Sequence, residues 1–89
     1  MPTVVFTSNL QRHVDCPSAQ VDGSTVREAL TAVFETNANL KGYIVDEHGR
    51  LRRHMAVFVD GDPIRDPERL SDQVRPDSEI YVMQALSGG

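Results

Sequence analysis

The sequence predicts an α+β domain, a mixed sheet of four to five strands packed on one face by one main helix. Three observations carry that reading. Strand-forming residues stand near both ends of the chain, Val4-Val5-Phe6 at the start and Glu79-Ile80-Tyr81-Val82-Met83-Gln84-Ala85 at the finish. One capped amphipathic segment lies between them. A chain of 89 residues makes one small domain, enough for a single sheet covered by a single helix. The two end strands are expected to be adjacent and parallel.

The elements follow in order. A first strand is expected over residues 3–8, and a turn at Asn9-Leu10-Gln11-Arg12 leads to a second strand at 13–16 or 19–21. Asp22-Gly23 breaks that strand. Thr25-Val26-Arg27-Glu28 then reads as a capping box, in which the Thr25 hydroxyl accepts the Glu28 N–H and Glu28 reaches back. Val26, Ala29, Leu30, Val33 and Phe34 recur at helical spacing and form one apolar stripe. Asn37, Asn39 and Gly42 are read as its end. Met55-Ala56-Val57-Phe58-Val59 is the next strand, with Asp60-Gly61 as its turn, and Ile64 fits a short edge strand. Leu70 and Val74, four apart, suggest a helical turn. Pro76-Asp77-Ser78 turns the chain into the last strand.

Strand alternation assigns faces. Met55, Val57, Val59, Ile80 and Val82 are expected under the helix, which turns Phe58, Tyr81 and Met83 to the opposite face. Large residues on a face with no helix to cover it are read as a partner surface, since aromatics and Met are enriched at interface centres. The run Arg50, Arg52, Arg53 and His54 reads as a solvated loop or, more sharply, as a contact for an acidic partner.

Composition removes several function classes. The net charge of −4 and pI near 5.2 argue against nucleic acid as a partner. No apolar run is long enough to span a bilayer, and the start lacks the pattern of a signal peptide, so no membrane partner and a cytoplasmic location are expected. Cys16 is the only cysteine, which leaves no internal disulfide, and it is read as structural. His13, His48 and His54 have no metal-ligand spacing, and no phosphate-binding or nucleophile motif is present. No bound cofactor or metal is expected, and the chain reads as the substrate of an enzyme rather than as an enzyme.

The last residues, Leu86-Ser87-Gly88-Gly89, follow the final strand without a spacer. Glycine lacks Cβ, so a diglycine passes through a channel closed to other residues and presents an unhindered carboxylate. Two glycines alone favour a frayed or leftover end. The strand running straight into them favours a reacting end.

Taken together, these pieces resemble the ubiquitin-like β-grasp proteins and, more narrowly, the MoaD/ThiS family of sulfur carriers. The likeness rests on Ser24-Thr25-Val26-Arg27-Glu28-Ala29-Leu30, on Val57-Phe58-Val59-Asp60-Gly61-Asp62, and on Pro76-Asp77-Ser78-Glu79-Ile80-Tyr81-Val82 followed by the diglycine. Gly49-Arg50-Leu51-Arg52-Arg53-His54 resembles the longer members, those of the CysO type. Asp77-Ser78 departs from a glycine found in many members, and Leu86-Ser87 from a common alanine. The resemblance implies a β-grasp domain over residues 1–85 and a flexible tail over 86–89. It implies that a separate E1-like adenylating enzyme uses MgATP to activate the Gly89 carboxylate. A sulfur donor then converts it to a thiocarboxylate, which a sulfur-accepting biosynthetic enzyme of molybdopterin, cysteine or thiamine type consumes. Gly89 would react, Gly88 would give clearance, and Phe58, Tyr81, Met83 and Leu86 would dock. A ubiquitin-like modifier joined through Gly89, or a non-covalent β-grasp binding module, are the alternatives.

Overall fold

The computed structural model describes residues 1–7, 10 and 17–84. Its elements in chain order are β1 (Thr3–Phe6), β2 (Ala19–Gln20), α1 (Val26–Thr36), α2 (Ala38–Ile44), β3 (Met55–Val59), β4 (Asp62–Pro63) and β5 (Glu79–Gln84). The strands form one mixed sheet in the order β2-β1-β5-β3-β4. β1 and β5 are parallel, with Val4 opposite Ile80 and Phe6 opposite Val82. Every other pairing is antiparallel. The expected strand at 19–21 is therefore present as β2, whereas 13–16 and Cys16 lie outside the described residues.

The core sits between the sheet and α1. Val4 and Phe6 of β1, Met55 and Val57 of β3, and Ile80 and Val82 of β5 are buried against Val26, Ala29, Leu30 and Val33. Val59 and Phe34, expected in the same layer, are half-buried at its margin. The start of α1 is fully hydrogen-bonded. The N–H groups of Val26 and Arg27 donate to the carbonyls of Asp72 and Leu70 at 2.9 and 2.8 Å, and that of Glu28 to Thr25 Oγ1 at 3.1 Å. The reciprocal half of the box reaches one residue further back than expected. Glu28 Oε1 accepts the Ser24 N–H at 2.7 Å and the Ser24 hydroxyl at 2.9 Å.

Gly23 is required where the chain approaches α1. A Cβ there would lie 2.8 Å from the backbone nitrogen of Ala29 and 3.1 Å from Glu28 Cβ. The β3–β4 hairpin turns on Asp60 (φ 50°) and Gly61 (φ 89°), both positive as a two-residue type I′ turn demands.

Three expectations need correction. Helix α1 ends at its expected cap, Asn37 (φ −145°, ψ 75°), but Asn39 and Gly42 do not prolong that break, because a second helix, α2, runs through them. Leu40 and Ile44, four apart, are both fully buried, and that burial outweighs the weak helix propensities of Asn and Gly. Leu70 and Val74 are in the core but not on a helical turn: Leu70 has φ 56°, and its carbonyl faces α1. The short edge strand is formed by Asp62–Pro63, while Ile64 stands just beyond it, half-buried, and donates its N–H to Val57.

Side-chain carboxylates hold the loops. Asp46 accepts the N–H groups of His48 and Arg50 and the Arg50 Nε. Asp72 accepts the N–H groups of Arg65 and Asp66, and Asp66 those of Arg69 and the Ser71 hydroxyl. Asp60 accepts the Glu79 N–H at 2.9 Å and the hydroxyl of Ser78, the one buried polar residue among those described, at 3.0 Å. Hydrogen bonds draw the carboxyl pKa values of Glu28, Asp46, Asp60 and Asp66 below their ordinary range. The Ser24 N–H does so for Glu28, the Arg50 N–H for Asp46, the Glu79 N–H for Asp60 and the Ser71 hydroxyl for Asp66.

Two expected outcomes follow. Gly23→Ala loses about 2 kcal/mol in urea unfolding, because backbone atoms must shift to admit one methyl. The lowered carboxyl values mean that the folded state binds fewer protons than the unfolded chain. Their stabilisation is complete above the ordinary carboxylate range, about pH 4, and is lost as pH falls through the lowered values. The urea midpoint is therefore level through neutral pH and drops on acidification below about pH 4, and Asp60→Asn removes part of that drop.

Candidate functional site: the helix-free face and the end of β5

Among the described residues, no helix covers one face of the sheet. Opposed residues of an antiparallel or parallel pair share a face, so register alone draws its surface. Val5 is opposite Tyr81, Tyr81 opposite Phe58, and Phe58 opposite Pro63, giving one continuous row across four strands. Met83 and Ala56 form a second row beside it. Phe58 and Met83 are half-buried and Tyr81 is 38% exposed, so the three residues expected on this face are brought together there and remain accessible. Leu86, Gly88 and Gly89 lie outside the described residues.

β5 occupies the middle of the sheet and is described to Gln84, which pairs with Met55. The chain thus reaches its last residues from the centre of the sheet, beside the second row. That end holds a feature that sequence reasoning missed. Thr7 Oγ1, just after β1, is buried and has no hydrogen-bond partner among the described residues. Its N–H donates to Val82, which fixes it next to β5. A lone threonine after an apolar strand gives no sequence signal of this kind.

Several hollows open on the described surface, among them two lined in part by charged groups. One of about 370 Å³ lies on the helix side, floored by Leu30, Phe34, Val45 and Leu70 with Arg27 and Lys41 at its rim. The other, about 610 Å³, is lined by Asp46, Arg50, Arg52, Arg53, His54 and Glu68 and adjoins Met55 at the start of β3. Among the described residues no group of His, Cys, Asp and Glu is placed to hold a metal ion, and no helix is long and apolar enough to cross a membrane.

A five-strand mixed sheet with parallel central strands, closed on one side by the crossover helix, is the ubiquitin-like β-grasp fold. The ThiS family profile matches residues 11–89, and the chain belongs to that family. No curated protein gives a significant sequence match. Among solved structures, the chain is similar to one from the BexX/CysO complex of Amycolatopsis orientalis, with 27% identity over 100% of both chains and a TM-score of 0.83. It is also similar to SAMP1 of Haloferax volcanii, with 23% identity over 99% and 98% of the two chains and a TM-score of 0.77. CysO of Mycobacterium tuberculosis, described as an antigen, gives 17% identity over 97% and 100%, with a TM-score of 0.80. The last two likenesses bear on the fold alone. Membership of the family supports a role as a sulfur carrier or modifier, and small carriers of this kind are generally not enzymes.

The two faces of β3 give a direct test. Val57, 2% exposed, points into the core, and Phe58 points away from it. Phe58→Asp is expected to keep a cooperative unfolding transition and lose about 1 kcal/mol, the scale of one cross-strand pair. Val57→Asp, with a charge under the helix, is expected to show no cooperative transition. Equal damage from both would contradict a sheet with one free face.

Proposed function

We propose that this protein is a sulfur carrier whose Gly89 carboxylate is the reacting group. The observation that carries the reading is the extent of the family match, which runs through the diglycine to residue 89 rather than stopping at the folded body. A carboxylate at neutral pH is a poor electrophile, so an E1-like enzyme must first convert it, with MgATP, to an acyl-adenylate and release pyrophosphate. Sulfide then displaces AMP to leave a thiocarboxylate. A persulfide does the same through an acyl disulfide that a thiol cleaves. The terminal sulfur is a nucleophile that a biosynthetic enzyme consumes.

On this reading the parts divide by chemistry. Gly89 is activated and Gly88 lets the end enter a narrow channel. Phe58, Tyr81 and Met83, with Leu86 at the root of the tail, dock the body on the adenylating enzyme. Docking of a folded surface offsets the entropy lost when the glycines are fixed. Phe58→Asp is then expected to slow adenylation while the fold persists.

The test is the intact mass of a chain ending at Gly89 after incubation with the cognate adenylating enzyme, MgATP and sulfide. The expected gain is that of one oxygen-to-sulfur exchange, located at Gly89 by fragmentation, and deletion of Gly89 abolishes it without moving the unfolding midpoint. A chain extended past Gly89 that is activated without trimming would refute the reading. Isopeptides from Gly89 to target lysines, with no thiocarboxylate, would assign the protein as a modifier instead. Unchanged function without Gly88 and Gly89 would leave a non-covalent binding module.

A further inference from the structure

The run Arg50-Leu51-Arg52-Arg53-His54 carries three arginines, one histidine and no acid in a chain of net charge −4. Strand register fixes its place. β3 is antiparallel to β5 with Met55 opposite Gln84, so the turn at Arg53 and His54 stands at the sheet end where β5 finishes. The apolar rows of the helix-free face end at the same place, with Ala56 and Met83 as the nearest pair.

The cations of this run are committed to different degrees. Arg50 is neutralised by Asp46, Nε to Oδ2 at 3.1 Å. Arg52 donates its Nε to the Gly42 carbonyl at 2.7 Å, a bond that fixes its direction without cancelling its charge. Arg53 and His54 are exposed, and among the described residues neither has a hydrogen bond or ion pair. The acids facing the same hollow are Asp46, which is occupied by Arg50, and Glu68, which is exposed and unpaired among the described residues. Positive charge is thus left over at one edge of an acidic protein, next to its exposed apolar face. Apolar centre and charged rim is the usual anatomy of a protein–protein interface.

On the carrier reading Gly89 is the reacting end, and its distance from β5 sets what that rim can touch. Five residues, 85–89, follow Gln84, and fully extended they span at most ~18 Å. On the carrier reading Gly89 is held in the adenylating enzyme, so the turn at Arg53 and His54, beside Gln84, is kept within about that span of the enzyme and faces its surface. We infer that Arg53 and His54, with Arg52 behind them, form a cationic rim that pairs with carboxylates around the tail-accepting channel of the adenylating enzyme. The inference rests on the carrier reading above.

ATP–pyrophosphate exchange with the cognate adenylating enzyme tests it, using the full chain, Arg53→Glu and Arg53→Lys at roughly 50 and roughly 300 mM salt. The expected result is a fall in kcat/KM of about tenfold for Arg53→Glu with kcat nearly unchanged, and near-normal values for Arg53→Lys. The native chain should also lose kcat/KM as salt rises, and Arg53→Glu should lose that dependence. Equal rates and equal salt responses for native and Arg53→Glu chains would overturn the inference and leave the carrier reading standing. So would movement of the Arg53 and His54 NMR signals of the free protein on addition of MgATP alone, which would make the rim a nucleotide contact. Absence of exchange with the native chain would refute the carrier reading, and the rim with it.

Discussion

The parallel pairing of β1 with β5 governs the rest of this structure. Parallel neighbours cannot be joined by a tight turn, so the chain between them must cross the sheet, and α1 is that crossing. The helix buries Val26, Ala29, Leu30 and Val33 over the central strands and leaves the other face bare. The same pairing places β5 in the middle of the sheet, and the antiparallel partner β3 then begins where β5 ends. The bare apolar face, the exit of the chain and the Arg53-His54 turn are brought together by this one topological choice.

On the proposed reading, stability and partner contact consequently draw on different residues. Core positions alternate with exposed ones along β3 and β5, so Val57 and Phe58, or Val82 and Met83, are sequence neighbours with opposite duties on the proposed reading. The loops are stabilised separately, through carboxylates that accept backbone N–H groups. Asp60 ties the β3–β4 turn to the start of β5 through Glu79 and Ser78, and Asp72 closes the segment that caps α1. None of these bonds uses Phe58, Tyr81 or Met83.

Period and cap chemistry made much of this legible in the sequence. The capping box and the spacing from Val26 to Val33 located α1, alternation separated Val57 from Phe58, and Asp60-Gly61 announced the hairpin. What escaped depends on distant contacts. α2 contains Asn39 and Gly42, which read as stop signals, and it persists because Leu40 and Ile44 find the core; their four-residue spacing was the available clue. Leu70 takes a positive φ because its carbonyl completes the start of α1, a long-range demand that no local pattern records. The basic run was visible, but its position beside the end of β5 required the sheet register. Alternation placed Phe58, Tyr81 and Met83, the proposed docking residues, on one face, whereas Leu86, Gly88 and Gly89 fall outside the described residues and rest on the diglycine and the family.

The proposed division between a helix-covered face that folds the domain and a bare face that meets its partner is tested most directly by amide hydrogen exchange, compared between the free protein and its complex with the adenylating enzyme. The division predicts added protection in 52–58 and 81–84, with α1 and α2 exchanging as in the free protein. Added protection on α1 and α2, with 56–58 and 81–83 unchanged, would contradict it.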